Sequence, residues 1–117
     1  MRIAVTYDED FNLRPLDEAE IISIINEETG ELEQYENPGI GGKEVTMSAI
    51  LSLSPDAIVV GRRFLCPSSY MVPHGKIKYI VTNNKTLQEV LKNLESLKKN
   101  IRGDLDEEIY AEEYKHL

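Results

Sequence analysis

The six residues Asp56-Ala57-Ile58-Val59-Val60-Gly61, "DAIVVG", decide how this chain folds. Four consecutive apolar residues sit between Pro55 and a glycine, too few for a helix. A strand that alternates apolar and polar residues has one face in water. A strand that is apolar throughout is covered on both faces, which is the habit of parallel sheets sandwiched between helices. The next strand-like run, "KIKYIVT" (Lys76–Thr82), comes only after a long intervening stretch. That length suits a crossover and makes the two strands parallel neighbours. Val59 and Ile80 are therefore expected side by side at the centre of a sheet.

Upstream, Val45, Ala49 and Leu53 fall four apart with Ile50 beside them, which predicts one helix face ending at Pro55. Before it, "PGIGG" (Pro38–Gly42) is a turn. "AEIISIIN" (Ala19–Asn26) and the polar "ELEQYEN", joined through "EETG", predict a hairpin whose acidic arm suits a sheet edge. "RIAVTY" (Arg2–Tyr7) predicts the opening strand, followed by the polar loop "DEDFNLRPLD". Downstream, Thr86 and Glu89 form a capping box. It opens a helix with the stripe Leu87, Val90, Leu91, Leu94, Leu97 and Ile101, closed by Gly103. Leu91 and Leu94 are expected to pack on the sheet. The sum is an α/β domain with a mixed five-stranded sheet over residues 1–103, and an acidic tail over 104–117. Deleting that tail is expected to leave the domain folded. Its Ile109, Tyr110 and Tyr114 either dock as a short helical face or stay solvated.

The chain has 117 residues, 41% hydrophobic and 29% charged, the balance of one soluble domain. It contains no apolar run of membrane-spanning length and no signal-peptide pattern, so a cytoplasmic location is expected and no membrane partner. One cysteine excludes an internal disulfide. The net charge of −8 opposes phosphate backbones, and nucleic acid is not an expected partner.

Chemistry-bearing residues gather in "VGRRFLCPSSYMVPHGK" (Val60–Lys76), just after the buried strand. Ligands of α/β sheets sit beyond the carboxyl ends of strands. Cys66 and His74 are donors of the kind that hold zinc or iron–sulfur clusters. Arg62 and Arg63 suit an anionic cofactor. Against this, a lone cysteine is most often a small buried hydrophobe, and two donors fall short of a four-ligand zinc site. Asp8, Glu9, Asp10 and Glu44 offer carboxylates in the manner of a two-metal nuclease, but Gly61 and Arg62 stand where a further acid is needed, and no catalytic residue is assigned. "NPGIGG" lacks the Gly-Lys-Ser/Thr ending of a phosphate loop.

The segments "MRIAVTYDE", "IISIINEETGELEQYENP", "DAIVVGR" and "KIKYIVTNNKTLQEVLKNL" together resemble the dinitrogenase iron–molybdenum cofactor family, which includes nitrogenase accessory proteins of archaea and bacteria. The likeness runs from about Met1 to Leu94. It implies a ribonuclease H-like three-layer fold and a non-enzymatic role: binding an iron–sulfur or iron–molybdenum type cluster, or another small anionic ligand. Many members carry a His-Phe-Gly-like segment before the second strand, where this chain has "NLRPLDEAE". The alternative is therefore a regulatory or interaction module with a protein partner, which kept the fold and lost the cluster site.

Overall fold

A computed structural model describes residues 1–111. Its first half is an antiparallel meander of β1 (Arg2–Tyr7), β2 (Ile21–Asn26) and β3 (Leu32–Glu36). Register puts Val5 opposite Ser23 and Ile22 opposite Tyr35. β3 is exposed along its whole length, as its acids foretold for an edge. β4 (Ala57–Val60) lies parallel to β1 on the other side, and β5 (Lys78–Val81) parallel to β4, with Val59 paired to Ile80. Both crossovers are therefore in place.

The sheet has six strands, in the order β3-β2-β1-β4-β5-β6, where five were expected. The extra strand is β6 (Ile101–Arg102), antiparallel to β5 with Ile101 opposite Ile80. The apolar spacing that places Ile101 on the last helix is overridden by this pairing. That helix instead breaks at Asn93 (φ −102°, ψ 15°), giving α3 (Leu87–Lys92) and α4 (Leu94–Lys98). Asparagine competes with helical hydrogen bonding through its own amide, so a break there is inexpensive. Most of the expected stripe survives the break: Leu87, Val90, Leu94, Leu97 and Ile101 pack together against the sheet, and of the six only Leu91 is turned out, 43% exposed.

β4 explains why its sequence is apolar throughout. Ile58 and Val60 enter a core with Met47 and Ile50 of α1 (Lys43–Ser52) and Tyr70 of α2 (Pro67–Met71). Ala57 and Val59 enter a second core with Leu87 and Val90 of α3, where Leu94 and Leu97 of α4 also pack. Helices thus cover both faces in three layers. Each isoleucine or valine so buried contributes about 1.5–3 kcal/mol.

The buried face of α1 is Thr46, Met47 and Ile50, and Val45 is 56% exposed. Of the expected face, Ile50 is buried and Ala49 and Leu53 pack half-buried against the core, whereas Val45 is replaced by Thr46 and Met47. Thr46 sets the rotation, because its hydroxyl bonds Asn37 Oδ1 and the Gly39 carbonyl, both at 3.0 Å. A Cβ on Gly39 would lie 2.6 Å from the Thr46 nitrogen, so only glycine permits this approach.

Packing does not stop at residue 103. Leu105 is buried, and Ile109 and Tyr110 of α5 (Glu107–Tyr110) lie against the first core. Of the two alternatives for the tail, docking is the one seen for Ile109 and Tyr110, while Tyr114 lies outside the described residues. No helix among those residues is long and apolar enough to cross a membrane.

Candidate functional site

β1, β4 and β5 run parallel, so the loops leaving their carboxyl ends emerge on one side of the sheet. Backbone hydrogen bonds tie those loops together. Leu13 donates to the Lys85 carbonyl at 2.8 Å, Leu87 to Phe11 at 2.9 Å, and Leu16 to Phe64 at 3.2 Å. Between them lies a cavity of about 320 Å³, lined by Leu13, Gly61, Arg62, Phe64, Thr82, Asn83, Asn84 and Lys85. This is the place where α/β sheets hold ligands, and the size suits a small one.

Local structure explains each wall. The Phe64 N–H closes a turn onto the Gly61 carbonyl at 3.2 Å, and a Cβ on Gly61 would meet the Phe64 ring at 2.9 Å. Glycine thus lets that ring lie over the turn. Arg63, inside the turn, is left-handed at φ +65°, a conformation that side chains with a Cβ rarely adopt. Across the cavity, the Thr82 hydroxyl accepts the Asn84 N–H at 3.0 Å and shapes the bend after β5. Asn84 Oδ1 is buried without a hydrogen-bond partner among the described residues. The lining contains two cations, Arg62 and Lys85, two amides and no carboxylate. On a chain of net charge −8 it is a local basic hollow.

The sequence-derived candidates separate. Arg62 lines the cavity. The main chain of Arg63 is held from two sides, its N–H by the Ile109 carbonyl at 2.7 Å and its carbonyl by Lys43 Nζ at 2.9 Å. Cys66 precedes α2, is 8% exposed, and has its Sγ 3.3 Å from Ser69 Oγ. His74 lies beyond the other end of α2, exposed, with its ring 5.3 Å from that of Tyr70. Cys66 and His74 therefore stand at opposite ends of one helix and apart from the cavity lining. Among the described residues no three His, Cys, Asp or Glu side chains form a metal-binding group.

Of the carboxylates after β1, Asp8 is committed to its own loop. Burial opposes the charge of Asp8, but hydrogen bonds from Arg14 (Nε to Oδ2, 2.8 Å) and from the Asn12 and Asp10 backbone outweigh it. They hold its carboxyl below the ordinary 3.8. A second hollow, about 410 Å³, is walled by Glu9, Glu20 and Glu36 with Ile21, Asn37 and Ile40, and so has the opposite charge character.

Thr82, Asn83, Asn84 and Lys85 were not picked out from the sequence. The signal was the polar run "TNNK" directly after a strand already read as parallel to its neighbour. The carboxyl-end rule, applied to that strand as it was to "DAIVVG", points to these residues.

Fold and cavity define an α/β domain with an open, mixed, six-stranded sheet and a polar hollow at the carboxyl ends of its parallel strands. Three solved structures are similar to this chain in fold. One is a Thermotoga protein provisionally assigned as NifB (TM-score 0.67, 15% identity, 98% of each chain covered). The second is the apo form of the orange protein of Desulfovibrio gigas (0.67, 15%, 86% of this chain and 89% of that one). The third, from Methanocaldococcus jannaschii, is provisionally assigned as a dinitrogenase (0.60, 12%, 86% and 91%). At such identities the likeness establishes the fold alone. No protein-family model and no curated protein matches the sequence.

Proposed function

We propose that this chain is a non-enzymatic binding protein of the nitrogenase-cofactor type, with the three-layer domain read as ribonuclease H-like. It takes a small anionic ligand, an iron–sulfur or iron–molybdenum type cluster as cargo, in the cavity between the ends of β4 and β5. The observation that carries the reading is the cavity itself, with Arg62 and Lys85 in a carboxylate-free wall of an acidic protein. Charge-assisted hydrogen bonds from these two side chains, supplemented by the Asn83 amide, suit an anion. Thiolate ligation does not fit the residues present, because the sole thiol is buried against Ser69. Retention therefore rests on charge and hydrogen bonding.

Anaerobic reconstitution with iron, molybdate and sulfide, followed by desalting, metal analysis and a visible spectrum, tests this. Metal and chromophore are expected to stay with the wild-type chain and with Cys66→Ser, and to be lost from the Arg62→Ala/Lys85→Ala double variant. Retention that needs Cys66 but neither cation would overturn the reading. The interaction-module alternative draws on one observation, the exposed apolar Ile40, Val45, Met71 and Val72 on and beside α1 and α2. A chain that retains no metal but co-purifies with a protein partner would favour it.

A further inference from the structure

The cavity-forming turn Gly61–Phe64 is joined to a part of the chain outside the lining of that cavity. Arg63 sits in the left-handed region at φ +65°, where a residue with a Cβ is found only when its surroundings hold it. One restraint is the Ile109 carbonyl, which accepts the Arg63 N–H at 2.7 Å. The segment that supplies it is anchored independently. Leu105 is buried and donates its N–H to the Tyr70 hydroxyl at 3.2 Å, and the Tyr110 ring stacks on that of Tyr70 at 4.2 Å between centroids. Tyr70 is fixed in turn, since its carbonyl accepts the buried Tyr79 hydroxyl at 3.1 Å. The residues flanking Arg63, Arg62 and Phe64, are both walls of the cavity.

We infer that the segment Leu105–Ala111 is the positioning element of the ligand turn. Docked on Tyr70, it holds the Arg63 peptide left-handed and so aims Arg62 into the cavity. Its docking and occupation of the cavity are coupled, each favouring the other, as linkage requires. The coupling half of this inference rests on the anion reading of the cavity; the positioning half does not. Tyr110 is a positioning residue, acting through α5 and the Arg63 peptide rather than on a ligand.

Amide hydrogen exchange on the full chain tests the positioning directly. In Tyr110→Ala, exchange at Arg63 is expected to accelerate about fivefold or more, the lower range of such couplings, beyond any acceleration at Val59 and Ile80, whose central-strand amides report the global loss of stability. Tyr110→Leu, which keeps an apolar side chain on Tyr70, serves if the alanine variant does not fold. An unchanged Arg63 amide, or equal acceleration at all three positions, would overturn the inference. Molybdate titration reads the coupling: Tyr110→Ala is expected to weaken binding about fivefold or more with every lining residue intact. Equal affinity in both chains would overturn it. A wild-type chain that binds no molybdate would defeat the cavity reading alone, leaving the exchange result to decide the positioning.

Discussion

Asn37 shows how much one polar side chain can organise. Its amide donates to the Leu16 carbonyl at 3.0 Å and the Ala19 carbonyl at 2.8 Å. Its Oδ1 accepts from the Gly39 N–H at 2.8 Å and the Thr46 hydroxyl at 3.0 Å. All of its hydrogen-bonding capacity is used inside the protein, joining the loop after β1, the turn after β3 and helix α1. Asn37→Ala leaves four buried groups without it and should cost about 3 kcal/mol, read from a urea melt. A cost below about 0.5 kcal/mol would show that water replaces the amide. Cys66 is the opposite case, a residue whose chemistry is closed off by burial. Its thiol should react with an aromatic disulfide reagent only after denaturation, and rapid reaction of the native chain would contradict the packing described. From the sequence alone neither fate could be fixed. "NPGIGG" reads as a turn, but which backbone groups the asparagine reaches depends on a loop some twenty residues away.

At the scale of elements, β4 was legible because an uninterrupted apolar run has one physical meaning, burial on both faces. The start of α1's face was not, because Val45 and Met47 are equally apolar and the choice between them is made by Thr46 bonding outside the helix, whereas Ala49, Ile50 and Leu53 pack as their spacing predicts. β6 was not legible either, since two residues carry no periodicity and its pairing depends on the break at Asn93. The C-terminal segment follows the same logic. Removing residues 104–117 takes Leu105, Ile109 and Tyr110 from the first core and should lower stability by at least about 2–3 kcal/mol, the value of burying one large apolar side chain. An unchanged melting temperature would show that the segment only rests on the surface. Another contact ties α4 to the turn between β2 and β3: Lys98 Nζ lies 2.6 Å from Glu27 Oε2. The Lys98 hydrogen bond holds the Glu27 carboxyl below its ordinary 4.5, and the same bond raises the Lys98 ammonium above 10.5. For Glu27 the linked stability is present above 4.5 and is lost as pH falls through the lowered folded value. For Lys98 it is present below 10.5 and is lost as pH rises through the raised one. Lys98→Met should therefore flatten the acid limb of a stability–pH curve. Parallel acid limbs in the two chains would show that the pair contributes nothing, as exposed pairs often do.

The whole molecule sets a basic hollow into an acidic surface. The net charge of −8 repels polyanions at a distance, whereas Arg62 and Lys85 attract a small anion that can enter the cavity. Duplex DNA should accordingly not be retained at physiological salt, and a gel shift at micromolar protein would speak against this charge picture. The sheet that creates the hollow could be read from strand composition. Its lining could be read only in part, because residues 13, 61, 62, 64 and 82–85 meet through loops whose approach no local pattern encodes. The most direct test of the anion cavity is calorimetric titration of the full chain with molybdate, alongside Arg62→Ala and Lys85→Ala. Loss of one charge-assisted contact of about 1.5–3 kcal/mol should weaken binding tenfold or more in each variant, with melting temperatures unchanged. Wild-type affinity in both variants, or no binding by the wild-type chain, would contradict the account.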